Sequence, residues 1–138
     1  QFAFNGDIDN PYLPENIQGN SWIVYTGTHD NATSIGWWDE LDQETKNRLW
    51  ERDQAIGDSP SWKLIQMGLS TSACLFVAPI QDLLSLDNNA RFNTPGTIKD
   101  NWNWRIKSFD QPFISALERY REFSISSNHL FSDALRLL

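Results

Sequence analysis

Two short runs of large apolar and β-branched residues, Trp22-Ile23-Val24-Tyr25 and Cys74-Leu75-Phe76-Val77-Ala78-Pro79-Ile80, constrain this chain more than any other feature. Neither run alternates with polar residues. Such a run reads as a strand buried on both faces, as in a parallel sheet covered by helices. A polar stretch follows each: Thr26-Gly27-Thr28-His29-Asp30-Asn31 after the first, Gln81-Asp82 after the second. The stretch between the runs carries helical signals. Asp42 can cap a helix over residues 43–56, with Leu49, Trp50 and Ile56 on its apolar face and Gly57 as its stop. Ser59 before Pro60 is a second start signal, since Pro suits the first helical position; Trp62, Ile65 and Leu69 then recur at helical spacing. A connection of that length makes the two strands parallel and the crossover right-handed. Both polar ends then lie on one rim.

The rest of the chain fits the same alternation. Residues 2–4, Phe2-Ala3-Phe4, read as the end of a strand, followed by turn material at Asn5-Gly6-Asp7 and Asp9-Asn10-Pro11. Residues 87–103 form a Gly- and Asn-rich loop, Leu117, Tyr120 and Phe123 mark a further helix, and a short final helix ends at Leu138. Strands at about 2–4, 22–25 and 74–80 alternating with helices predict an α/β fold built from parallel βα units. In a (β/α)8 barrel the loops after the strands form the active-site face, and about two and a half of the eight units are present. A sheet this short leaves bare edges. The pattern therefore predicts one segment of a larger domain, with no separate second domain and with its open edge covered by another chain or by helices. The chain begins at Gln1 rather than Met, which fits a fragment or a processed product.

Composition removes several function classes. The chain has 138 residues and a formal net charge of −7. Its 11 basic residues are scattered among 18 acidic ones, whereas a nucleic-acid surface needs Lys and Arg in clusters. No apolar run approaches the length of a membrane span, and no signal peptide is visible. The single Cys74 excludes an internal disulfide framework, fits a reducing compartment and is expected to be buried in its apolar run. His29 and His129 are far apart and no Cys/His cluster has metal-ligand spacing, so no metal is expected. Seven Trp, eight Phe and three Tyr serve either a large core or the stacking of sugar rings.

Four motifs then narrow the reading. Val24-Tyr25-Thr26-Gly27-Thr28-His29-Asp30-Asn31 followed by Gly36-Trp37-Trp38 resembles a signature of the amylomaltases, the disproportionating 4-α-glucanotransferases. So do residues 78–84 (Ala-Pro-Ile-Gln-Asp-Leu-Leu), residues 90–96 (Ala-Arg-Phe-Asn-Thr-Pro-Gly) and residues 101–105 (Asn-Trp-Asn-Trp-Arg). The resemblance runs from Gln1 to about Arg121 and corresponds to the last third or less of a family member. It implies the C-terminal part of a (β/α)8 catalytic barrel. It also implies transfer of α-1,4-linked glucan segments between maltodextrins by a retaining mechanism, without a cofactor. The partners implied are a maltodextrin or starch-derived glucan and the upstream part of the same enzyme. A bacterial cytoplasm and a plastid stroma are both compatible with it.

Residue by residue, the resemblance assigns Asp30 as the third carboxylate of the family, which holds the reacting sugar, with His29 before it. The family's nucleophile and acid/base lie on earlier strands, upstream of this chain, so the chain alone is expected to be inactive. Retaining transfer needs those two carboxyl groups about 5–5.5 Å apart across the scissile bond. Asp30 could hydrogen-bond a sugar hydroxyl and favour the developing oxocarbenium charge, but it cannot replace the nucleophile. Asn93, before Thr94-Pro95-Gly96, is a candidate sugar contact or a residue of a type II turn. Asp82 is a candidate sugar contact or the cap of the helix after the second strand. Trp102 and Trp104 share one face of an extended segment, for loop packing or sugar stacking. Trp37 and Trp38 are expected to pack at the barrel rim, and Arg91 and Arg105 to hold loops through carboxylate or backbone contacts. Glu15, after Leu13-Pro14, departs from the His of many family members. The competing readings are a carbohydrate-binding module and an accessory chain that completes a barrel. Typical sugar-binding modules are antiparallel sandwiches, which the alternation of strands and helices does not fit.

Overall fold

The computed structural model describes residues 1–52 and 58–127. Strand β1 (Ile23–Tyr25) leads to helices α1 (Ser34–Glu40), α2 (Gln43–Arg52) and α3 (Pro60–Leu69); strand β2 (Leu75–Val77), the short helix α4 (Ile80–Leu83) and the long helix α5 (Gln111–Ser126) follow. The two strands pair in parallel, with Ile23 opposite Leu75, Val24 opposite Phe76 and Tyr25 opposite Val77. The expected βα order is therefore present, and both strand ends point the same way.

The helices begin where their caps lie. Asp42 Oδ1 accepts from Thr45 N–H at 2.8 Å and Oδ2 from Thr45 Oγ1 at 2.8 Å, which satisfies a free donor at the start of α2. Ser59 Oγ accepts from Trp62 N–H ahead of Pro60 and starts α3. Asp110 caps α5 through Phe113 N–H at 3.3 Å. The core is built by α3, β2, α4 and α5: Trp62, Ile65, Leu69, Phe76, Leu83 and Ala116 are buried together, with Val24, Tyr120 and Phe123 packed against them. Arg119 of α5 lies over the Trp62 ring at 4.2 Å and pairs with Asp58 at 2.8 Å, tying α5 to the entry of α3.

Several expectations are corrected. Residues 2–4 are not a strand: Phe2 and Ala3 lie in a turn. Asn10 Nδ2 donates to Phe2 O at 2.9 Å, so a side chain rather than a neighbouring strand meets that backbone. The second strand stops at Val77 rather than at residue 80. Pro79 cannot donate to a ladder, and its carbonyl instead accepts from Asp82 N–H as the start of α4. The strands are buried on one face only. Val24 and Phe76 meet the core, while Ile23, Tyr25 and Leu75 are each about half exposed. Cys74 is exposed rather than buried; it stands just outside β2, with its N–H and its Sγ both directed at Trp22 O. On α2, Leu49 is buried but Trp50 faces outward beside Trp38 and Lys63. Successive helical residues cannot share one inward direction. Leu117 is likewise exposed on α5. The expected ends of α2 at Ile56 and Gly57, His129 and the final helix to Leu138 lie outside the described residues.

Candidate active site

The loop between β1 and α1, residues 26–33, carries His29 and Asp30 at its tip. Asn31 Oδ1 accepts from Thr28 N–H at 2.8 Å and Thr28 Oγ1 at 2.9 Å, while Asn31 N–H donates to Thr28 O at 3.1 Å. This tight side-chain-closed turn leaves the residues between its ends no inward path. The His29 and Asp30 side chains are 57% and 49% exposed, with Nε2 and Oδ1 3.3 Å apart. An open carboxylate with an imidazole beside it can present both an acceptor and a donor to adjacent hydroxyls. Thr33 Oγ1 accepts from Gly36 N–H and starts α1 on the far side of the loop.

The segment after α4 returns to the same place. A 3₁₀ turn at Asn88–Ala90 delivers Arg91, Phe92 and Asn93. Asn93 Nδ2 donates to Asp30 Oδ1 at 2.6 Å. Arg91 Nη2 donates to Asp30 O at 2.7 Å and Nε to Asn93 O at 2.9 Å, so one guanidinium joins the two segments through their backbones. Thr97 N–H donates to Thr94 O around Gly96 at φ +79°, as a type II turn after Pro95 requires. Trp102 N–H donates to Phe92 O at 2.7 Å and closes the loop. The Trp102 ring then lies 5.2 Å from the His29 ring and 5.0 Å, edge-on, from Phe92. Trp102 holds φ +63°, an unfavourable conformation for a bulky residue and one found disproportionately at functional sites. Beside this cluster a cleft of about 250 Å³ is lined by His29, Arg91 and Phe92 together with Tyr25, Val77 and Gln81 at the strand ends.

Three of the four sequence-assigned positions, His29, Asp30 and Asn93, therefore converge in one contact set. Asp82 belongs to the wall of the same cleft. It is 1% exposed, and its oxygens accept from Thr26 Oγ1 at 2.5 Å, Ser34 N–H at 2.8 Å and Ser34 Oγ at 2.8 Å. It does not cap α4, whose N-cap is Pro79. Arg91 holds backbone carbonyls as expected, and so does Arg105, which donates to Trp102 O and Trp104 O. Trp37 packs on Phe4 and Trp38 on Trp50. The roles of Thr26 and Ser34 had no signal in the sequence, because their partner lies 56 and 48 residues away. Among the described residues no cluster of His, Cys, Asp or Glu is placed to hold a metal ion, and no helix is long and apolar enough to cross a membrane.

Comparison with known proteins points in one direction. The 4-alpha-glucanotransferase family profile matches residues 1–111. The 4-alpha-glucanotransferase DPE1, chloroplastic/amyloplastic, of Arabidopsis thaliana is 50% identical over 109 residues, 78% of this chain and 19% of that protein. The 4-alpha-glucanotransferase of Synechocystis is 39% identical over 105 residues, 75% of this chain and 21% of that protein. An amylomaltase from Streptococcus agalactiae, solved in complex with acarbose, superposes with a TM-score of 0.78 at 26% identity, covering 92% of this chain and 26% of that one. The chain thus spans about a fifth of the length of the curated relatives it matches. With the family profile covering most of its length and relatives at up to 50% identity, this chain belongs to the 4-alpha-glucanotransferase family.

Proposed function

We propose that the chain is the C-terminal segment of the (β/α)8 catalytic barrel of a 4-α-glucanotransferase, and that Asp30 is its sugar-holding carboxylate. The observation that carries this is the open Asp30 carboxylate in the loop after a parallel strand, braced by Asn93 and flanked by His29. In retaining transfer a nucleophile and an acid/base act in turn on the anomeric carbon, and hydrogen bonds to the sugar 2-OH strengthen as the ring flattens. Asp30 accepts from a hydroxyl of the distorted sugar, and its negative charge favours the oxocarbenium-like state. That interaction grows toward the transition state, so it acts on turnover more than on affinity. His29 donates to a neighbouring hydroxyl, and Asn93 is placed to share in sugar binding while it orients Asp30. The nucleophile and acid/base come from the upstream part of the same enzyme, the glucan is a maltodextrin or starch-derived chain, and no cofactor takes part. The compartment is a bacterial cytoplasm or a plastid stroma.

Two experiments test this. In the complete enzyme Asp30→Asn, which preserves shape, lowers kcat by several orders of magnitude with KM little changed. A variant that keeps more than about a tenth of wild-type turnover, a loss below ~1.4 kcal/mol, overturns the role. The chain alone, incubated with maltotriose, yields no glucose and no longer maltodextrins; their appearance from pure chain would contradict the missing nucleophile. Binding of maltodextrin by the isolated chain without turnover would favour an accessory role.

A further inference from the structure

One buried carboxylate holds both ends of the loop that carries His29 and Asp30. Thr26 is the first residue of the loop after β1 and Ser34 the first residue of α1 after it; both are buried, at 3% and 0% exposure. Thr26 Oγ1 and Ser34 Oγ both donate to Asp82 Oδ2, and Ser34 N–H donates to Oδ1. Asp82 belongs to α4, directly after β2, so the bonds also couple the ends of the two parallel strands. A carboxyl group withdrawn from water in this way needs hydrogen-bond partners for its oxygens, and Thr26 and Ser34 supply them. The same stretch of chain that supplies Asp82 runs on to Arg91 and Asn93, which reach Asp30 at the loop tip. Asp30 is thereby held at the base and at the tip of its loop by one continuous segment.

We propose that Asp82 is a positioning residue for Asp30: its carboxylate clamps Thr26 to Ser34, fixes the span of the loop between them, and does not itself touch the glucan. The proposal rests on the reading of Asp30 as the sugar-holding carboxylate. A loop whose ends can separate lets its tip drift. A displacement of about 1 Å at a reacting centre is enough for a 100-fold loss of rate. Such a loss falls on kcat, because the glucan is bound by many contacts and only the growing transition-state bond to Asp30 needs the tight geometry.

The test uses the complete enzyme with maltotriose as substrate, assayed well below the Tm of each variant so that folded protein is compared. Asp82→Asn keeps the side chain's size but turns an NH2 group toward hydroxyl and amide donors. Thr26→Val and Ser34→Ala each remove one hydroxyl arm. Asp82→Asn is expected to lower kcat about 10- to 100-fold with KM within about threefold, and each single-arm variant to lower kcat about 3- to 10-fold. A purely structural Asp82 would lower Tm and leave kcat of the folded enzyme within about twofold of wild type, which overturns the clamp. A raised KM with unchanged kcat also overturns it, since that would make Asp82 a ground-state sugar contact. Asp30→Asn is run alongside. If it is inactive while Asp82→Asn is not impaired, the clamp alone fails; if Asp30→Asn stays active, the reading of Asp30 fails and the clamp with it. Should Asp82→Asn not fold, Thr26→Val and Ser34→Ala decide on the same criteria.

Discussion

Asn93 reaches Asp30 across 63 residues of sequence and donates to its Oδ1 at 2.6 Å. The contact joins the loop after β1 to the segment after β2, and it leaves the second carboxylate oxygen of Asp30 free of that donor. A neutral amide suits this position because it orients the carboxylate without removing its charge. Removing it exposes what the pair is for.

In the complete enzyme Asn93→Ala is expected to lower kcat about 10- to 100-fold, in line with a lost bond to a charged group worth ~1.5–3 kcal/mol. Asn93→Asp tests the charge separately. Two carboxylates in hydrogen-bond contact cannot both ionise freely, so one takes up a proton and its pKa rises. The acidic limb of the kcat–pH profile should then move to higher pH in both variants, and further in Asn93→Asp, where a like charge is added, than in Asn93→Ala, where only the donated bond is lost. An unmoved limb in both would count against electrostatic contact between the two positions.

Trp102 offers a prediction on backbone strain. Its φ of +63° is left-handed, a conformation that disfavours side chains with a Cβ by about 1–2 kcal/mol. Trp102→Ala and Trp102→Gly both lose the ring between His29 and Phe92, but only Gly relieves the backbone. Trp102→Gly should therefore melt higher than Trp102→Ala in thermal unfolding, while both lose activity to a similar extent. Equal Tm values would mean that the left-handed conformation carries no strain.

Gly68 packs α3 against β2. A Cβ there would overlap the Phe76 ring, which is buried in the core between α3 and Tyr120. Gly68→Ala should destabilise by about 1–3 kcal/mol, as overpacking does. Phe76→Leu in the same molecule frees the space, so the double variant should recover part of the loss. Denaturant unfolding of the four proteins gives the coupling directly.

The parts of this fold that were legible in the sequence are local. Asp42, Ser59-Pro60 and the Trp62, Ile65, Leu69 repeat act within a turn or two of where they stand: α2 and α3 start where those signals place them, and α3 packs its repeat into the core. The parallel pairing followed from the length of the connection. What could not be read is set at long range. Apolar content alone does not tell a strand buried on both faces from one whose Ile23, Tyr25 and Leu75 side is open. Phe2-Ala3-Phe4 has strand composition, yet the side chain of Asn10 holds Phe2 O in a turn. In the site, His29, Asp30 and Asn93 stood out through motif resemblance, while the hydroxyl and amide donors that hold Asp82 come from distant residues of unremarkable type.

Acid stability should depend on Asp42. The Thr45 backbone N–H, with the Thr45 hydroxyl second, holds the Asp42 carboxyl below its usual value of 3.8. Depression of a carboxyl pKa in the folded state means that its stabilisation is present above the unfolded value and is lost as pH falls through the folded one. Stability should thus decline below about pH 4, and Asp42→Asn, which keeps an acceptor but cannot titrate, should show a flatter decline in the same range. Urea midpoints measured from pH 6 down to about pH 3 test this. Parallel curves for the two proteins would show that Asp42 does not contribute to acid unfolding.

The open side of the sheet makes the last prediction. Ile23, Tyr25 and Leu75 stand 51%, 47% and 47% exposed on adjacent strands, with Ile23 directly opposite Leu75. An exposed apolar face on paired strands is a binding surface or an aggregation hazard. In the proposed barrel this side is covered by upstream strands of the same enzyme, whereas among the described residues it stays half exposed. The isolated chain should therefore bind the dye ANS and sediment with a concentration-dependent mass. Ile23→Thr with Leu75→Thr keeps β-propensity while removing the apolar contact pair, and should reduce both signals without unfolding the helices in far-UV circular dichroism. The same pair of substitutions in the complete enzyme should have the opposite sense, lowering its stability, because there the positions would lie inside the packed barrel. Dye binding unaffected by the double substitution would place the exposed apolar surface elsewhere and remove the reason for expecting a partner on this side of the sheet.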